Sequence, residues 1–257
     1  MSGNHFEKRF IAFVDILGFS NIVRRMSREE HLFTSVRDAL KDLNRQARIV
    51  QQYRRKNREE RKDRLRRGEA SLVPDSNLQM TAFSDCYVLS EVFPAWHVIA
   101  AVQSLGSRFL TKGILTRGAV VLGKAYHNGR VLFGPGIVEA YNLEQEVAKY
   151  PRILVSEEVR QEVWGYHQGA WEGHLLKQDV DGCWFVNLLT PSLSSWGVFS
   201  KSSRKYDLDE HLNKVRSALR SEWKRVQGDA AHMSKVWWLI HQFNEAAPEA
   251  GIRAILK

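Results

Sequence analysis

The chain has 257 residues, a formal net charge of +9 and a hydrophobic content of 44%. This length suffices for one large domain, or for a core domain with an appendage, and for a proper hydrophobic core. No apolar run reaches the roughly 18 residues that a membrane-spanning helix needs. The first ten residues lack the apolar core of a signal peptide, so we expect a cytoplasmic protein without membrane contact. Cys86 and Cys183 match no metal-binding spacing and are expected to be reduced thiols.

The positive charge is concentrated in residues 54–67, where nine basic and three acidic residues place +6 of the net charge. A basic surface suits nucleic acids, membrane surfaces or small anionic substrates such as nucleotides. The segment has none of the aromatic residues that single-strand-binding surfaces place between basic ones. We therefore expect a solvated helix face or a mobile loop, and no nucleic-acid partner, with an RNA-binding module as the alternative.

The first half of the chain predicts a strand, a helical region, a strand pair and a second helix. The ranges are 9–16 for the strand, 19–67 for the helical region, 78–91 for the strand pair and 95–111 for the helix. Gly18 breaks the first strand, Ser84-Asp85 forms the tight turn of the strand pair, and Pro94 opens the helix.

The next elements alternate between short strands and helices. We predict strands over 114–122, 130–133, 152–155, 174–178 and 183–189, a loop over 123–129, a helix over 137–149 and a short helix after Ser156. The order β-α-β-β-α-β, followed by further helices and strands, is that of the ferredoxin-like split βαβ fold, in the α/β (α+β) class.

The composition changes after Thr190. Residues 191–205 are rich in serine and predict a linker, and helices are predicted over 207–226 and 229–246. We therefore expect a first domain over 1–190, and a linker with a C-terminal helical hairpin over 191–257. The hairpin is expected to pack on the core or on a second subunit.

Two aspartates carry the chemical prediction. Asp15 ends the first strand, within the sequence Phe-Val-Asp-Ile-Leu-Gly-Phe, and Asp85 lies at the turn of the strand pair. In a split βαβ sheet the two strands are neighbours, so the carboxylates can converge and would repel each other unless they share cations. A few oxygen ligands, completed by water and phosphate, suit Mg²⁺ or Mn²⁺. Taken singly, Asp15 is as well explained as a helix cap and Asp85 as a turn residue.

These motifs resemble the class III adenylate and guanylate cyclase domains. Residues 13–19 are similar to the motif that opens that family, Phe83-Ser84-Asp85 to its hairpin, and 118–123 to its glycine-valine segment. Phe133-Gly134 and residues 151–156 resemble its later motifs, so the similarity runs from about residue 9 to 189. The resemblance implies a homodimer with shared active sites, in which Asp15, Asp85 and the Ile16 carbonyl hold two Mn²⁺ or Mg²⁺ ions.

The resemblance also implies base-reading positions, which fall on Thr81 and Val131, where neither the adenylate nor the guanylate pattern is present. Its transition-state asparagine and arginine positions fall on Val138 and Asn142, so the usual arginine is missing.

Several other residues are candidates for contacts to the nucleotide. Arg117 and Arg130 are candidate replacements for the missing cation at the α-phosphate, because charge that develops there needs a counter-charge. Lys177 resembles the family's lysine for the terminal phosphates. Asn142 is a candidate for ribose or phosphate contacts. The backbone amides of residues 16–19, up to Phe19, open a helix N-terminus that suits phosphate.

Residues 134–153 and 235–244 are similar to bacterial pyrimidine cyclases of anti-phage signalling. That similarity implies a cyclase for UTP, favoured slightly over CTP, whose cyclic product activates an effector protein. The alternatives are a cytidylate or purine cyclase, a catalytically inactive cyclase-like regulator, and the RNA-binding module.

Overall fold

A computed structural model describes residues 6–68, 78–167, 175–190 and 208–255. The predicted serine-rich linker over 191–205 lies outside these ranges. The strands are β1 (Glu7–Ile16), β2 (Gln79–Phe83), β3 (Cys86–Glu91), β4 (Thr116–Asn128), β5 (Val131–Phe133), β6 (Ile153–Val155), β7 (Leu176–Gln178) and β8 (Trp184–Val186). The helices are α1 (Phe19–Met26), α2 (Glu30–Arg66), α3 (Ala95–Leu110), α4 (Pro135–Val147), α5 (Glu157–His167), α6 (Leu208–Arg225) and α7 (Ala230–Ala246).

The described strands form one sheet in the order β2-β3-β1-β4-β6-β8-β7, and β5 pairs with β4. β1 lies between β3 and β4 and is antiparallel to both. The α1–α2 segment connects β1 to β2, and α3 connects β3 to β4. This order and these crossovers confirm the predicted split βαβ fold. β6, β8 and β7 extend the sheet beyond β4.

The side chains of β1 alternate between two faces of the sheet, as a strand buried on both sides requires. Phe10, Ala12 and Val14 belong to the main core, which α3, α6 and α7 cover. Ile11 and Phe13 face the smaller core under α4. Asp15 follows in the same alternation and therefore lies on the α4 side, at the end of the strand.

The structure corrects three predicted boundaries. The helical region over 19–67 is two helices, because the chain turns at Ser27 before α2 begins at Glu30. The predicted loop over 123–129 is wrong, since β4 continues to Asn128, pairs with β1 as far as Glu7 and then with β5. The helix predicted over 137–149 begins earlier, at Pro135.

Gly123 and Gly136 explain why the loop prediction failed. A Cβ atom on Gly123 would lie 2.5 Å from the Cα of Gly136, so the two glycines let α4 approach the backbone of β4. In sequence, a glycine in such a place indicates a break, whereas here it marks close contact between a strand and a helix.

The C-terminal hairpin of α6 and α7 packs on the main core. Its buried apolar side chains join those of α3 in one cluster: Leu212, Val215, Leu219, Val236, Ile240 and Phe243. The hairpin therefore shares the core of the sheet domain. The division at residue 190 remains a prediction.

A buried cation attaches α7 to the sheet. Arg152 is 2% exposed and pairs with Asp179 and Asp181. The Trp238 Nε1–H of α7 donates to the Asp179 carboxylate at 2.8 Å. The Arg152 guanidinium also lies 5.5 Å from the ring centre of Tyr150 and 5.9 Å from that of Trp238.

The basic segment over 54–67 forms the last turns of α2. Its described side chains are almost all exposed. Lys56 pairs with Glu60 and Arg66 with Asp63 along the helix. None of the described helices combines the length and the hydropathy needed to cross a membrane.

Candidate metal and nucleotide site

The end of β1 and the β2–β3 turn bring Asp15 and Asp85 to the same place. Asp15 is paired in register with Cys86, the residue after Asp85. The Ile16 N–H donates to the Asp85 carbonyl at 2.9 Å, which fixes the turn against the end of β1. Ser84 takes a positive φ of 51° to form that turn, a conformation that is uncommon for a residue with a side chain.

The pKa of Asp15 is raised to about 6 at this place. The main cause is burial, followed by repulsion from the Asp85 and Glu144 carboxylates; attraction to Arg117 and a hydrogen bond from the Ile16 N–H act in the opposite direction. Burial and the same acidic neighbours raise the pKa of the Cys86 thiol to about 12. The site therefore has an excess of negative charge that a bound cation would relieve.

Arg117 lies beside Asp15 and is held by a buried glutamate of α4. Its Nε is 3.9 Å from the Asp15 carboxylate and forms a closer ion pair with Glu144. The Glu144 side chain is fully buried, and burial raises its pKa, whereas Arg117 lowers it. Much of the charge of Arg117 is thus balanced by a carboxylate beneath the site.

The residues present fit a divalent cation that is completed by ligands from outside the chain. Asp15 and Asp85 supply oxygen donors, and the Ile16 carbonyl follows directly in the chain. Within the described residues no group of three or more histidine, cysteine, aspartate or glutamate side chains has the arrangement of a metal site. Two carboxylates with water and phosphate oxygens suit Mg²⁺ or Mn²⁺ better than zinc, which prefers a closed set of protein ligands.

Backbone hydrogen bonds already occupy two of the N–H groups that were predicted to contact phosphate. The Ile16 N–H bonds to Asp85 and the Leu17 N–H bonds to the Leu115 carbonyl at 2.9 Å, so neither is available to a phosphate. For the N–H groups of Gly18 and Phe19, at the start of α1, no backbone partner occurs among the described residues. The Phe19 side chain packs against the main core. The prediction of amides 16–19 is therefore corrected to amides 18 and 19.

Thr81 belongs to a chain of hydrogen bonds that begins in the sheet. Its hydroxyl donates to the Gly129 carbonyl at 2.6 Å, so the bond to His127 Nε2 at 2.9 Å must be donated by the histidine. With neutral His127, the Nδ1 atom then accepts from the Ser90 hydroxyl at 2.7 Å, which itself accepts from Arg9 Nε at 2.9 Å. The Thr81 oxygen therefore has one lone pair left, with which it can accept a further hydrogen bond.

The tip of the β4–β5 hairpin lies against β2. The Gly129 N–H donates to the Gln79 side chain at 3.0 Å, in addition to the bond from Thr81. Arg130 and Val131 follow in this hairpin, and both are exposed. The structure thus brings the two predicted base-reading positions, Thr81 and Val131, into one region. Arg130 lies in the same hairpin as Val131, whereas Arg117 lies beside Asp15.

Asn142 lies on the outer surface of α4. Its neighbours there are Val138, which is 58% exposed, and Tyr141, whose ring packs edge-on against Phe13. Asn142 is exposed, whereas Glu144, two residues later, points into the site beneath the helix. The structure therefore does not bring Asn142 to Asp15 of the same chain.

Lys177 lies on β7, at the far edge of the sheet. Four strand spacings separate β7 from β1, or about 19 Å. The Lys177 ammonium donates to the Gln242 and Glu245 side chains of α7 at 3.2 and 3.3 Å. Within one chain it is apart from Asp15 and bound to the hairpin.

Glu144 and the role of His127 are not evident from the sequence. A glutamate within a helix gives no sign of burial, and only the contact of α4 with β4 reveals it. His127 has no ligand spacing in the sequence, so nothing local marks it as part of a site. It is buried, and it orients the hydroxyl of Thr81.

Comparisons with known proteins give only distant similarity. No family model matches the chain, and no curated protein matches it. The crystal structure of the catalytic core of a rhodopsin-guanylyl cyclase with converted specificity, in complex with ATPalphaS, is similar over 71% of this chain and 96% of that chain. The identity is 17% and the TM-score is 0.38, which is too distant to transfer residue roles or a substrate.

Proposed function

We propose that the chain is a metal-dependent nucleotidyl cyclase that converts a pyrimidine nucleoside triphosphate to its 3′,5′-cyclic monophosphate and pyrophosphate. The observation that carries the proposal is the meeting of Asp15 and Asp85 at one end of the sheet, where burial and then repulsion from the Asp85 and Glu144 carboxylates raise the pKa of Asp15 to about 6. The resemblance of residues 13–19 and 83–85 to class III cyclase motifs supports the same reaction.

The reaction needs no protein nucleophile. The bond between the ribose 3′-oxygen and the α-phosphorus forms, the bond to the β-phosphate bridging oxygen breaks, and the hydroxyl proton leaves to water or a carboxylate. Two Mn²⁺ or Mg²⁺ ions would lower the pKa of the 3′-hydroxyl and offset the charge on the phosphates. Asp15, Asp85 and the Ile16 carbonyl would hold these ions.

The remaining site residues are assigned by their positions. The N–H groups of Gly18 and Phe19 are proposed to donate to phosphate oxygens at the start of α1. Arg117 is proposed to orient Asp15 and to balance the charge at the α-phosphate from the same chain. Its pairing with Glu144 holds it beside Asp15 before any substrate binds.

The candidate residues that do not contact Asp15 are proposed to serve the site of a second subunit. Asn142 is on the outer surface of α4, Thr81, Arg130 and Val131 are at or beside the tip of the β4–β5 hairpin, and Lys177 is on the far edge of the sheet. A homodimer with shared sites supplies the first four from the partner. Exposed apolar side chains around these positions support such an interface: Phe83, Val131, Phe133, Val138 and Tyr141.

We favour UTP as the substrate, with CTP next. Thr81 and Val131 are small and neutral, and they match neither the adenylate nor the guanylate pattern of base-reading residues. Because Thr81 donates its own hydrogen to Gly129, its oxygen is left to accept from a base N–H, such as N3–H of uracil. The product would act as a second messenger in anti-phage defence, through an effector protein.

The test is incubation with each of the four nucleoside triphosphates and Mn²⁺, followed by mass spectrometry of the products. We expect cyclic UMP from the wild type and at least a 100-fold loss in Asp15→Ala and Asp85→Ala, since each removes a ligand of the ions. Asp63→Ala, an exposed aspartate of α2, is the matched control and keeps full activity. Cyclic CMP or a cyclic purine nucleotide as the main product would overturn the choice of UTP.

The alternatives give different outcomes in the same experiment. An inactive cyclase-like regulator binds a triphosphate without releasing pyrophosphate. An RNA-binding module has salt-sensitive affinity that is lost when residues 54–67 are neutralised and is unchanged in Asp15→Ala.

A further inference from the structure

A cleft of about 430 Å³ lies between α1, the loop before β4 and the C-terminal hairpin. This volume is within the range of small-molecule sites. The cleft lies on the side of the sheet that α3, α6 and α7 cover. Asp15 faces the opposite side, toward Glu144 of α4. The two aspartates therefore lie outside the cleft, although Gly18, whose N–H is proposed to donate to a phosphate of the nucleotide, is at its edge.

The floor of the cleft is aliphatic. Leu115 and Val236 are buried in it, and Leu17, Ile22 and Leu32 are partly buried beside them. Apart from His232, no side chain with a ring lines the described part of the cleft. Such a floor suits a ligand with an aliphatic body better than a nucleotide base, which binds by stacking.

The walls of the cleft are cationic. They carry five lysine and arginine side chains and one carboxylate, Glu222; the cations are Arg25, Lys112, Lys214, Arg225 and Lys235. They come from α1, the loop after α3, α6 and α7, so separate elements direct positive charge to one opening.

Neighbouring carboxylates offset only some of this charge. Arg25 pairs with Glu29 at 2.9 Å, Lys214 pairs with Glu210 at 2.6 Å, and Arg225 pairs with Glu222. Pairs of this kind, between partly exposed residues close in the chain, contribute little to stability and can rearrange around a ligand. Lys112 and Lys235 form no ion pair within the part of the chain that the structure describes.

We propose that this cleft binds a small amphipathic organic anion, in which a phosphate or carboxylate is attached to an aliphatic body. The aliphatic part lies on Leu17, Ile22 and Leu115, and the anionic head lies between Lys112 and Lys235. This site goes beyond the proposed cyclase activity and does not depend on it.

Isothermal titration with octyl phosphate, kept below its micelle concentration, tests the proposal. Octanoate in a parallel titration distinguishes a phosphate head from a carboxylate head, and inorganic phosphate and octanol test each half alone. We expect one molecule of octyl phosphate or octanoate to bind per chain, and each half alone to bind at least tenfold more weakly. Absence of binding by both amphiphiles would overturn the proposal, as would equal binding of octanol.

Two variants locate the binding. Lys112→Glu with Lys235→Glu is expected to weaken binding at least tenfold, whereas Lys56→Glu with Lys62→Glu, the same charge change on exposed α2, leaves it unchanged. Ser217→Trp, at an exposed position of α6 that lines the cleft, is expected to block binding while circular dichroism stays that of the wild type. Equal loss in both lysine pairs, or full binding in Ser217→Trp, would contradict the site.

A further variant separates this site from the proposed function. Asp15→Ala removes a proposed metal ligand and is expected to leave the affinity for octyl phosphate unchanged. If no triphosphate is cyclised and octyl phosphate still binds, the cyclase proposal fails alone. If a triphosphate is cyclised and octyl phosphate does not bind, the cleft proposal fails alone.

Discussion

At the scale of single residues, Asp15 shows how the site differs from an ordinary turn. An exposed aspartate ionises near pH 4, whereas Asp15 has a raised pKa of about 6 because it is buried and has acidic neighbours. The ionised form is thus unfavourable in the folded chain without a cation. A carboxyl group whose pKa is raised in this way is typical of functional sites and unusual for a helix cap.

The raised pKa predicts how stability depends on pH in metal-free buffer. The folded state holds the Asp15 proton to higher pH than the unfolded state, so this residue makes stability fall as the pH rises from about 4 to 6. Asp15→Asn is expected to raise the free energy of unfolding by about 1–2 kcal/mol at pH 8, after allowance for partial exposure of the side chain. The difference disappears below pH 4.

Chemical denaturation at several pH values, with a metal chelator present, measures this effect. Asp63→Asn, on the exposed surface of α2, is the control and shows no such trend. A wild type that is more stable than Asp15→Asn at pH 8 in chelator would contradict the predicted sign.

Arg152 supports a prediction about stability away from the site. Its guanidinium is buried with Asp179, so removal leaves a carboxylate buried without its cation. Arg152→Ala is expected to cost about 3–5 kcal/mol of the free energy of unfolding, whereas Lys56→Ala, in an exposed pair with Glu60, costs less than about 1 kcal/mol. Urea unfolding of both variants measures the difference, and equal costs would contradict the role of the buried pair.

Some residues of the site could be identified from the sequence, and others could not. Asp15 and Asp85 were identifiable because a strand end and a tight turn are local features of the sequence. Glu144 and His127 were not, because their burial depends on α4 and the β4–β5 hairpin folding over strands distant in sequence. Lys177 was predicted to contact the terminal phosphates from motif order alone, and motif order carries no information about its contact with α7.

At the scale of elements, the β4–α4 contact holds Arg117 and Glu144 together. α4 approaches β4 closely because Gly123 and Gly136 have no side chains at the crossing. The strand pattern of β4 was predictable as far as Leu122, where the apolar residues end. Its continuation through glycine and polar residues was not, since pairing with β1 and β5 determines it.

A pair of glycine variants tests this contact. Gly123→Ala places a Cβ 2.5 Å from the Cα of Gly136, and this backbone cannot move without shifting α4. We expect a loss of about 1–3 kcal/mol in the free energy of unfolding, as for other overpacked cores. Gly165→Ala, in α5 with open space around it, is the control and is expected to be neutral or stabilising by up to about 1 kcal/mol. Thermal unfolding compares the two, and a neutral Gly123→Ala would contradict the close approach.

At the scale of the whole molecule, the proposed dimer explains why candidate residues of one chain lie apart. Asp15 and Asp85 form one part of the site, and the outer surface of α4 carries Asn142 with exposed apolar neighbours. The general class of fold was predictable from element order. The division of the site between two subunits is implied by the family resemblance alone and stays a prediction, because element order does not show which residues of one subunit would meet those of another.

Mixing of inactive variants tests the shared site. Asp15→Ala and Asn142→Ala each inactivate both sites of their own homodimer. In a mixed dimer one site has neither substitution, so random exchange of subunits is expected to restore about a quarter of wild-type activity, as two-fold symmetry requires. Asp15→Ala mixed with Asp85→Ala is the matched control, since both alter the same part of the site and leave every site damaged. Activity in the control mixture equal to that in the first would contradict the division.

Helix α7 connects two distant parts of the molecule. Near its start, His232 lies 3.9 Å from where a side chain on Gly18 would begin, three residues beyond Asp15. Further along, Trp238 bonds to Asp179, and Gln242 and Glu245 bond to Lys177 on the edge strand. A helix rises 1.5 Å per residue, so residues 232 to 245 form a stiff rod of about 20 Å. α7 therefore spans the distance between the sheet edge at Lys177 and the beginning of α1, close to the carboxylates.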